Sequence, residues 1–332
     1  MDAISGGRVR TLAMASARYV SSEASPEVLV TGGAGYLGSC LVPLLLERGW
    51  RVAVFDTFAR GLSPLLPVVD RVRLVRGDVR DGAALAAALR GTHSVVHLAA
   101  VVGYPACSRD PALAEDVNVG GTRALLEHLS SEQRLVFAST GSCYGAVGPA
   151  TACTEETPLS PLSVYGRTKA EAEALVLAQG GVALRLATVF GVAPRLRVDL
   201  LVNDLARRAL RDGALDVYEP GFWRSLLHVR DAARAFALAL ERYDEMRGQA
   251  FNVGDDALNA TKEQLARLIC ERAGGARLLL GAPGSDQDRR DYRVSHERIR
   301  QLGFNATVTL EQGVDELLRV LPLMAPHELY TN

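Results

Sequence analysis

The segment VLVTGGAGYLG, at positions 28–38, restricts the possible folds more than any other part of the chain. A strand-like apolar run carries the first glycine, and a helix-like run over 37–48 follows. Gly32 permits a tight turn, Gly35 lets the backbone approach a ligand, and Gly38 lets the helix pack against the strand. The helix N-terminus then presents unpaired N–H groups to phosphate. The segment therefore predicts a dinucleotide-binding turn between a strand and a helix.

A carboxylate at the end of the next apolar run supports this interpretation. Asp56 ends the run RVAVFD, and its distance from Gly38 is close to the roughly 20 residues typical of a ribose-binding carboxylate. A turn or cap role for Asp56 is the alternative. An anion there would repel the additional phosphate of NADP, so the predicted cofactor is NAD. Arg60 leaves binding of NADP open, because it offers a cation to a 2′-phosphate.

Strand-like and helix-like segments alternate from position 28 onward, which indicates a parallel sheet with helices on both faces. The predicted strands are 28–32, 51–56, 72–78, 94–100, 134–140 and 182–190, and the predicted helices are 37–48, 82–89, 112–129 and 165–179. This pattern predicts an α/β fold with a doubly wound parallel sheet of the Rossmann type.

The regular alternation of strand-like and helix-like segments ends after Gly191. A helical segment over 199–211 follows, and then an irregular stretch. We therefore predict an NAD-binding domain over 27–191 and a smaller C-terminal, mainly substrate-binding lobe over 192–332. Within that lobe, 228–253 is expected to pack back on the first domain. Residues 1–26, rich in Ser, Ala and Arg, are interpreted as a mobile N-terminal extension, with a transit peptide as the alternative.

Composition narrows the range of partners. The 37 Lys and Arg residues nearly balance the 38 Asp and Glu residues, so no strong basic field is available for nucleic acid or an anionic membrane. No apolar run reaches the roughly 18 to 20 residues needed to span a bilayer. The five cysteines are scattered and show no metal-ligand spacing, which predicts no metal site and favours a reducing cytoplasm. A small molecule is the expected partner.

The motif YGRTK places Tyr165 and Lys169 four residues apart, and therefore on one face of a predicted helix. A phenol has a pKa near 10, and a neighbouring ammonium favours the phenolate form. Such a pair can exchange protons with a substrate, although an exposed helix pair has the same spacing. The hydroxyl-rich run FASTGSCYG, at 137–145, ends a predicted strand upstream and favours the catalytic interpretation.

These motifs together carry a resemblance to a known family. TGGAGYLG, GDVRD (77–81), HLAA (97–100), NVGGT (118–122) and YGRTK have the order and spacing of the extended short-chain dehydrogenases, and the similarity runs from about 27 to 320. The resemblance implies NAD as cofactor and the following cofactor-binding residues: Gly32, Gly35, Tyr36, Leu37, Gly38, Asp56, Asp78, Val79, Leu98, Ala99, Ala100, Asn118, Tyr165 and Lys169. Asp78 has the alternative role of a helix cap.

The resemblance also implies the chemistry. Thr140, Tyr165 and Lys169 match the family's catalytic residues, in which the tyrosine takes a proton from a sugar hydroxyl while the carbon gives a hydride to the nicotinamide. Relatives that eliminate water carry an Asp-Glu pair after the threonine, and the decarboxylases keep the Glu. Here the positions hold Gly141 and Ser142, which argues against both reactions and is typical of 4-epimerases.

The same resemblance suggests residues for a nucleotide-diphosphate sugar. Arg224 lies where relatives grip the diphosphate, because a guanidinium can bind two phosphate oxygens at once. Ser142 and Thr188 are assigned to the sugar, although Thr188 replaces an Asn common in epimerases. Asn203 is a candidate for the diphosphate or sugar, with a solvated helix face as the alternative. Arg289, or the adjacent Arg290, is the second arginine on the diphosphate or ribose.

The resulting hypothesis is an NAD-dependent nucleotide-sugar epimerase that acts by transient oxidation and hydride return, with carbon 4 as the expected position. A ketoreductase that consumes NADPH or NADH uses the same residues and stays open, as does a dehydrogenase of alcohols without a nucleotide. A non-catalytic NAD(P) sensor is the alternative from another class. The family also implies a homodimer.

Overall fold

The computed structural model describes residues 25–148, 152–281, 283–285, 291–325 and 329–331. Residues 1–24 of the predicted extension lie outside this part. The strands are, in chain order, β1 (Glu27–Thr31), β2 (Arg51–Asp56), β3 (Val72–Arg76), β4 (Ser94–His97), β5 (Arg134–Thr140), β6 (Val182–Leu186), β7 (Thr188–Phe190), β8 (Ala214–Val217), β9 (Trp223–His228), β10 (Ala250–Val253), β11 (Asn259–Thr261) and β12 (Arg277–Leu280).

Helices alternate with these strands. They are α1 (Gly38–Glu47), α2 (Gly82–Leu89), α3 (Tyr104–Arg109), α4 (Pro111–Glu115), α5 (Gly121–His128), α6 (Val164–Ala178), α7 (Leu201–Asp212), α8 (Val229–Glu241), α9 (Tyr243–Met246), α10 (Lys262–Arg272), α11 (Glu297–Gln301) and α12 (Leu310–Val320). Among these described helices none is long and apolar enough to cross a lipid bilayer.

A seven-stranded sheet contains the first six strands of the chain and β10, in the order β10-β6-β5-β4-β1-β2-β3. Every pairing within it is parallel. The strand order reverses between β1 and β4, and in such sheets ligands bind in the crevice at the carboxyl ends of the strands there. The predicted doubly wound Rossmann fold is confirmed, and its topology places the crevice directly after the glycine-rich turn.

Both faces of this sheet are covered, which explains why its strands are nearly continuous apolar runs. Successive side chains of β1 point to opposite faces, so Val28 and Val30 join one apolar cluster and Leu29 joins the other. Residues from α1 and α8, such as Leu41 and Phe236, complete the first cluster. Residues from α2, α5 and α6 complete the second.

The second lobe contains a three-stranded sheet in the order β11-β9-β7, a parallel pair of β8 and β12, and a separate apolar core. The predicted single strand over 182–190 was wrong, because the chain changes sheets at Ala187. The Ala187 N–H still donates to the Val253 carbonyl (2.9 Å), whereas Thr188 already pairs with Leu226 of β9. The segment therefore joins the two parts of the structure, and the predicted limit at 191 stays a prediction.

Candidate active site

A cavity of about 810 Å³ opens at the carboxyl ends of β1, β4 and β5, where the topology predicts a ligand crevice. Its lining includes the predicted cofactor and catalytic residues Gly32, Gly35, Tyr36, Leu37, Gly38, Asp56, Asp78, Val79, Leu98, Ala99, Ala100, Thr140, Tyr165 and Lys169. The predicted substrate residues Ser142, Thr188 and Arg224 also line it. Segments distant in sequence thus meet in one cavity, and the roles of the residues stay predictions.

The glycine-rich turn is packed too tightly for side chains at two of its positions. Gly32 has a φ of +70°, and a Cβ atom there would lie 2.8 Å from the Ala99 backbone. A Cβ atom at Gly38 would lie 2.5 Å from the carbonyl oxygen of Gly33. A Cβ atom at Gly35 would lie 3.0 Å from the carbonyl oxygen of Gly32 and 4.0 Å from a guanidinium nitrogen of Arg195. The turn therefore depends on glycine at these positions and lies beside the N-terminus of α1, where backbone N–H groups can face a diphosphate.

Asp56 lies beside this turn and is positioned by two backbone hydrogen bonds. The N–H groups of Ala34 and Phe58 donate to its two oxygens, at 3.0 and 2.9 Å. A carboxylate has about four lone-pair sites, so each oxygen retains acceptor capacity toward ribose hydroxyls. Asp78, by contrast, is paired with Arg80 (2.6 Å), whose hydrogen bond lowers the pKa of the carboxyl group.

Asn118 does not line the cavity, which corrects its predicted direct role in cofactor binding. The predicted helix over 112–129 is interrupted by a wider turn at Asp116–Gly120, and this turn directs the Asn118 side chain inward. Its amide oxygen accepts from the Val101 N–H (2.8 Å), and its amide nitrogen donates to the Val101 carbonyl and the Thr168 hydroxyl (both 3.0 Å). Asn118 therefore holds the cavity wall at Val101 in place and links it to α6.

The catalytic candidates are placed by the end of β5 and the start of α6. Thr140 is the last residue of β5, and its hydroxyl accepts a hydrogen bond from the Ser142 N–H (3.2 Å). The Ser163 hydroxyl caps α6 by accepting from the Gly166 N–H (3.0 Å), which places Tyr165 in the first turn of the helix. Lys169 follows one turn later, so both side chains reach the cavity from one helix face.

Burial controls the protonation of this pair. It raises the pKa of Tyr165 well above its usual value, while a hydrogen bond with Thr140 and the charge of Arg197 lower it. Burial also lowers the pKa of Lys169 to about 8, although nearby cysteines and Glu173 oppose this shift. The Lys169 ammonium nitrogen lies 3.9 Å from the ring centroid of Phe137. The pKa of Tyr165 therefore depends on several surrounding groups, including Arg197 from the segment after β7.

Two predicted substrate residues need correction or lie outside the described part. Asn203 is fully buried and does not line the cavity. Its amide oxygen accepts from the Gly191 N–H (3.0 Å), and its amide nitrogen donates to the Arg197 carbonyl (2.7 Å). These hydrogen bonds hold the segment after β7 and use the amide group of Asn203. The structure therefore supports neither the predicted substrate contact nor the alternative of a solvated helix face. Arg289 lies outside the described residues.

Arg195, Arg197 and Tyr292 are among the polar cavity residues that the sequence analysis did not name. Arg195 and Arg197 lie in the irregular segment after β7, which has a bend at Arg195 and a single β-bridge at Arg197. Tyr292 approaches from the loop-rich segment before α11, and its hydroxyl would lie 3.2 Å from a Cβ atom at Gly141. No local pattern indicates this contact.

Comparisons with known proteins show the family of the chain. A family model described as the NAD dependent epimerase/dehydratase family matches residues 28–254. A dTDP-glucose 4,6-dehydratase of Streptomyces niveus is 30% identical over 87% of this chain and 90% of its own length. UDP-glucose 4-epimerase 4 of Oryza sativa subsp. japonica is 38% identical over 51% of this chain, and the match spans 48% of that relative.

A solved structure of a similarly named protein has the same fold. The structure of a Thermus thermophilus UDP-glucose 4-epimerase in complex with NAD superposes with a TM-score of 0.76, at 30% sequence identity. The alignment covers 88% of this chain and 98% of the epimerase. The matched region contains the glycine-rich turn and the Tyr165–Lys169 pair, and the chain belongs to the NAD dependent epimerase/dehydratase family.

Proposed function

We propose that the chain is an NAD-dependent epimerase of nucleotide-diphosphate sugars, acting at carbon 4 of the sugar. The observation that carries the proposal is one cavity that joins the glycine-rich turn to Thr140, Tyr165 and Lys169, with Gly141 and Ser142 after the threonine. The glycine-rich turn fits a dinucleotide. Thr140, Tyr165 and Lys169 would supply acid/base groups for one sugar hydroxyl. Relatives named as UDP-glucose 4-epimerases support the reaction class.

The residues around the turn would hold NAD. The backbone at Gly35 and the N-terminus of α1 would bind the diphosphate, and Asp56 would accept hydrogen bonds from the adenosine ribose. NAD bound there would supply a reversible hydride acceptor for the sugar carbon. The Lys169 ammonium lies in the same cavity and would bind ribose hydroxyls.

Tyr165 would move the proton that accompanies each hydride transfer. Its phenolate accepts the proton of the sugar hydroxyl as the alcohol is oxidised, and the phenol returns it when the ketone is reduced. Thr140 would donate a hydrogen bond to the same sugar oxygen and hold it beside the phenol. The guanidinium of Arg197 lowers the pKa of Tyr165, which burial raises. The ammonium of Lys169, which lines the same cavity, would also stabilise the phenolate.

The geometry disfavours the dehydratase reaction of the Streptomyces relative. Elimination of water next to a ketone requires a further acid and base, whereas the two positions after Thr140 carry Gly141 and Ser142. A carboxylate at the first position would also meet the hydroxyl of Tyr292, which lies close to where a Cβ atom of residue 141 would be. The site is therefore built for reversible oxidation without elimination.

The test is an assay of redox balance. The purified protein, incubated with UDP- and dTDP-hexoses without added cofactor, should convert one sugar nucleotide into its 4-epimer and release no net NADH. Chromatography of the sugar nucleotides and mass spectrometry of the bound dinucleotide give both results. Turnover that requires stoichiometric NADH or NADPH would support the ketoreductase alternative instead, and release of a 4-keto-6-deoxy product would support the dehydratase.

Replacing Arg224 with Ala should weaken binding of UDP or dTDP by roughly 10- to 100-fold, since a charge-assisted hydrogen bond contributes about 1.5–3 kcal/mol. Arg224 is buried and lines the cavity, so its loss removes a cation that the diphosphate would meet. Calorimetry on the NAD-bound protein measures the effect. Arg230→Ala is the matched control, because Arg230 is exposed and paired with Glu316. Equal affinities of the Arg224 variant and the control would favour a substrate without a nucleotide.

The predicted homodimer and cytoplasmic location stay proposals. None of the five cysteines forms a disulfide, and four of them are buried. Burial raises the pKa of the Cys143 thiol, which lies next to the catalytic strand, to about 12, so this thiol is protonated and packs as an apolar group. Five cysteines without a disulfide support the proposal of a reducing compartment.

A further inference from the structure

A short segment at 329–331, here named the strap, runs beside the arginine-containing segment of the cavity. The Val198 N–H donates to the Tyr330 carbonyl (2.9 Å), and the Tyr330 N–H donates to the Leu196 carbonyl (3.2 Å). These two bonds form a parallel β-bridge between Arg197 and Tyr330. The strap is therefore attached by its backbone to the residues that carry Arg195 and Arg197.

The Tyr330 side chain contacts Arg195 directly. The guanidinium carbon of Arg195 lies 5.3 Å from the centroid of the Tyr330 ring, within the range of a cation–π contact. On the other side, the Arg195 backbone N–H donates to the Ser39 hydroxyl (3.4 Å) in the first turn of α1. One guanidinium nitrogen reaches to 4.0 Å from where a Cβ atom of Gly35 would lie. The strap thus holds a cation above the glycine-rich turn.

This cation is poorly compensated by the protein. The Nε atom of Arg195 is buried, and no described residue accepts a hydrogen bond from it. Asp56 offers an opposite charge nearby, but Arg60 adds a like charge, and burial together with Arg60 lowers the pKa of Arg195. Arg195 is partly buried, and a partly buried cation with a buried, unsatisfied N–H favours an anion next to it. Above Gly35, the anion that fits is a phosphate group.

We propose that Arg195 binds a phosphate oxygen of the dinucleotide and that Tyr330 is a positioning residue, so that the strap sets how long the cofactor stays bound. The inference rests on the proposed use of NAD. Retention matters for an epimerase, because the same cofactor molecule must return the hydride that it accepted. No residue of the strap is among the described residues that line the cavity. The strap would therefore affect cofactor retention through Arg195.

Tyr330→Ala tests the positioning role. It should raise the dissociation rate of NADH and the Kd for NAD about 5- to 10-fold, since it removes the ring but keeps the backbone bonds of the strap. Tyr330→Phe keeps the ring and should match the unmodified protein. Arg195→Ala should weaken NAD binding roughly 10- to 100-fold, and adding Tyr330→Ala to it should cause no further loss. Stopped-flow fluorescence of NADH release and calorimetry with NAD measure these effects.

Two outcomes would overturn the proposal. If Tyr330→Ala weakens UDP binding and leaves NAD binding unchanged, Arg195 serves the substrate. If Arg195→Ala changes affinity for NADP alone, the guanidinium serves a 2′-phosphate and not the diphosphate. Both measurements use binding, not turnover, so a failure of the strap proposal is distinguishable from a failure of the proposed epimerase activity.

Discussion

Tyr165→Phe is expected to lower kcat by about 10²- to 10⁴-fold, the range attributed to a positioned acid/base group. The substitution removes only the hydroxyl oxygen, so the ring still fills its place in the cavity and NAD should remain bound with nearly unchanged affinity. The loss should fall on kcat more than on KM, because the proton is transferred in the reaction step. Steady-state kinetics with the sugar nucleotide and calorimetry with NAD separate the two quantities.

Tyr104→Phe provides a matched control for this experiment. Tyr104 is half-buried at the start of α3 and does not line the cavity, so the same loss of a hydroxyl should leave kcat close to that of the unmodified protein. If Tyr165→Phe behaves like Tyr104→Phe, Tyr165 is not the acid/base group. The cavity would then hold a dinucleotide without the chemistry proposed here.

Glu173→Ala should destabilise the folded chain by about 3–5 kcal/mol, because it leaves an unpaired buried charge. Glu173 and Arg185 are paired at 2.6 Å, with side chains only 2% and 6% exposed. Arg185 also donates to the Tyr144 hydroxyl (3.0 Å), and Ser139 donates to Glu173, so the pair connects α6 to β5 and β6. Chemical denaturation of the full chain measures the loss.

The same helix supplies the control. Glu171 is also paired with an arginine, Arg123 at 3.6 Å, but these side chains are 44% and 55% exposed. Glu171→Ala should therefore change stability by less than about 1 kcal/mol. Replacing both Glu173 and Arg185 with Leu should cost less than Glu173→Ala alone, since no charge is then left buried. Equal effects at Glu171 and Glu173 would contradict the role assigned to burial.

Much of the cofactor region was predictable because its signals are local. The tight turn at Gly32 and the close approach at Gly38 depend on a missing Cβ atom, which is a property of the residue itself. The pairing of Tyr165 with Lys169 follows from the repeat of a helix. Each of these predictions required only neighbouring residues, and the structure brings all four residues to one cavity.

The predictions that failed depended on contacts between distant segments. The helix segment of Asn203 predicted an exposed or ligand-facing amide, whereas the backbone at Gly191 and Arg197 binds it inside the protein. Asn118 matches a family motif, yet a local widening of its helix turns it toward Val101. A polar side chain is directed by the nearest unsatisfied backbone groups, and their positions are set by the packing of the whole chain.

Local patterns were enough to predict the doubly wound sheet, the glycine-rich turn and the shared helix face of Tyr165 and Lys169, because turn geometry and helical periodicity act over a few residues. The groups that surround these features could be identified from the folded chain alone. It placed Arg195 above the glycine-rich turn, held it with Tyr330, and brought Tyr292 next to Gly141. The physical reason is that charge compensation and close packing act through space between segments, whereas sequence patterns record only what lies next along the chain.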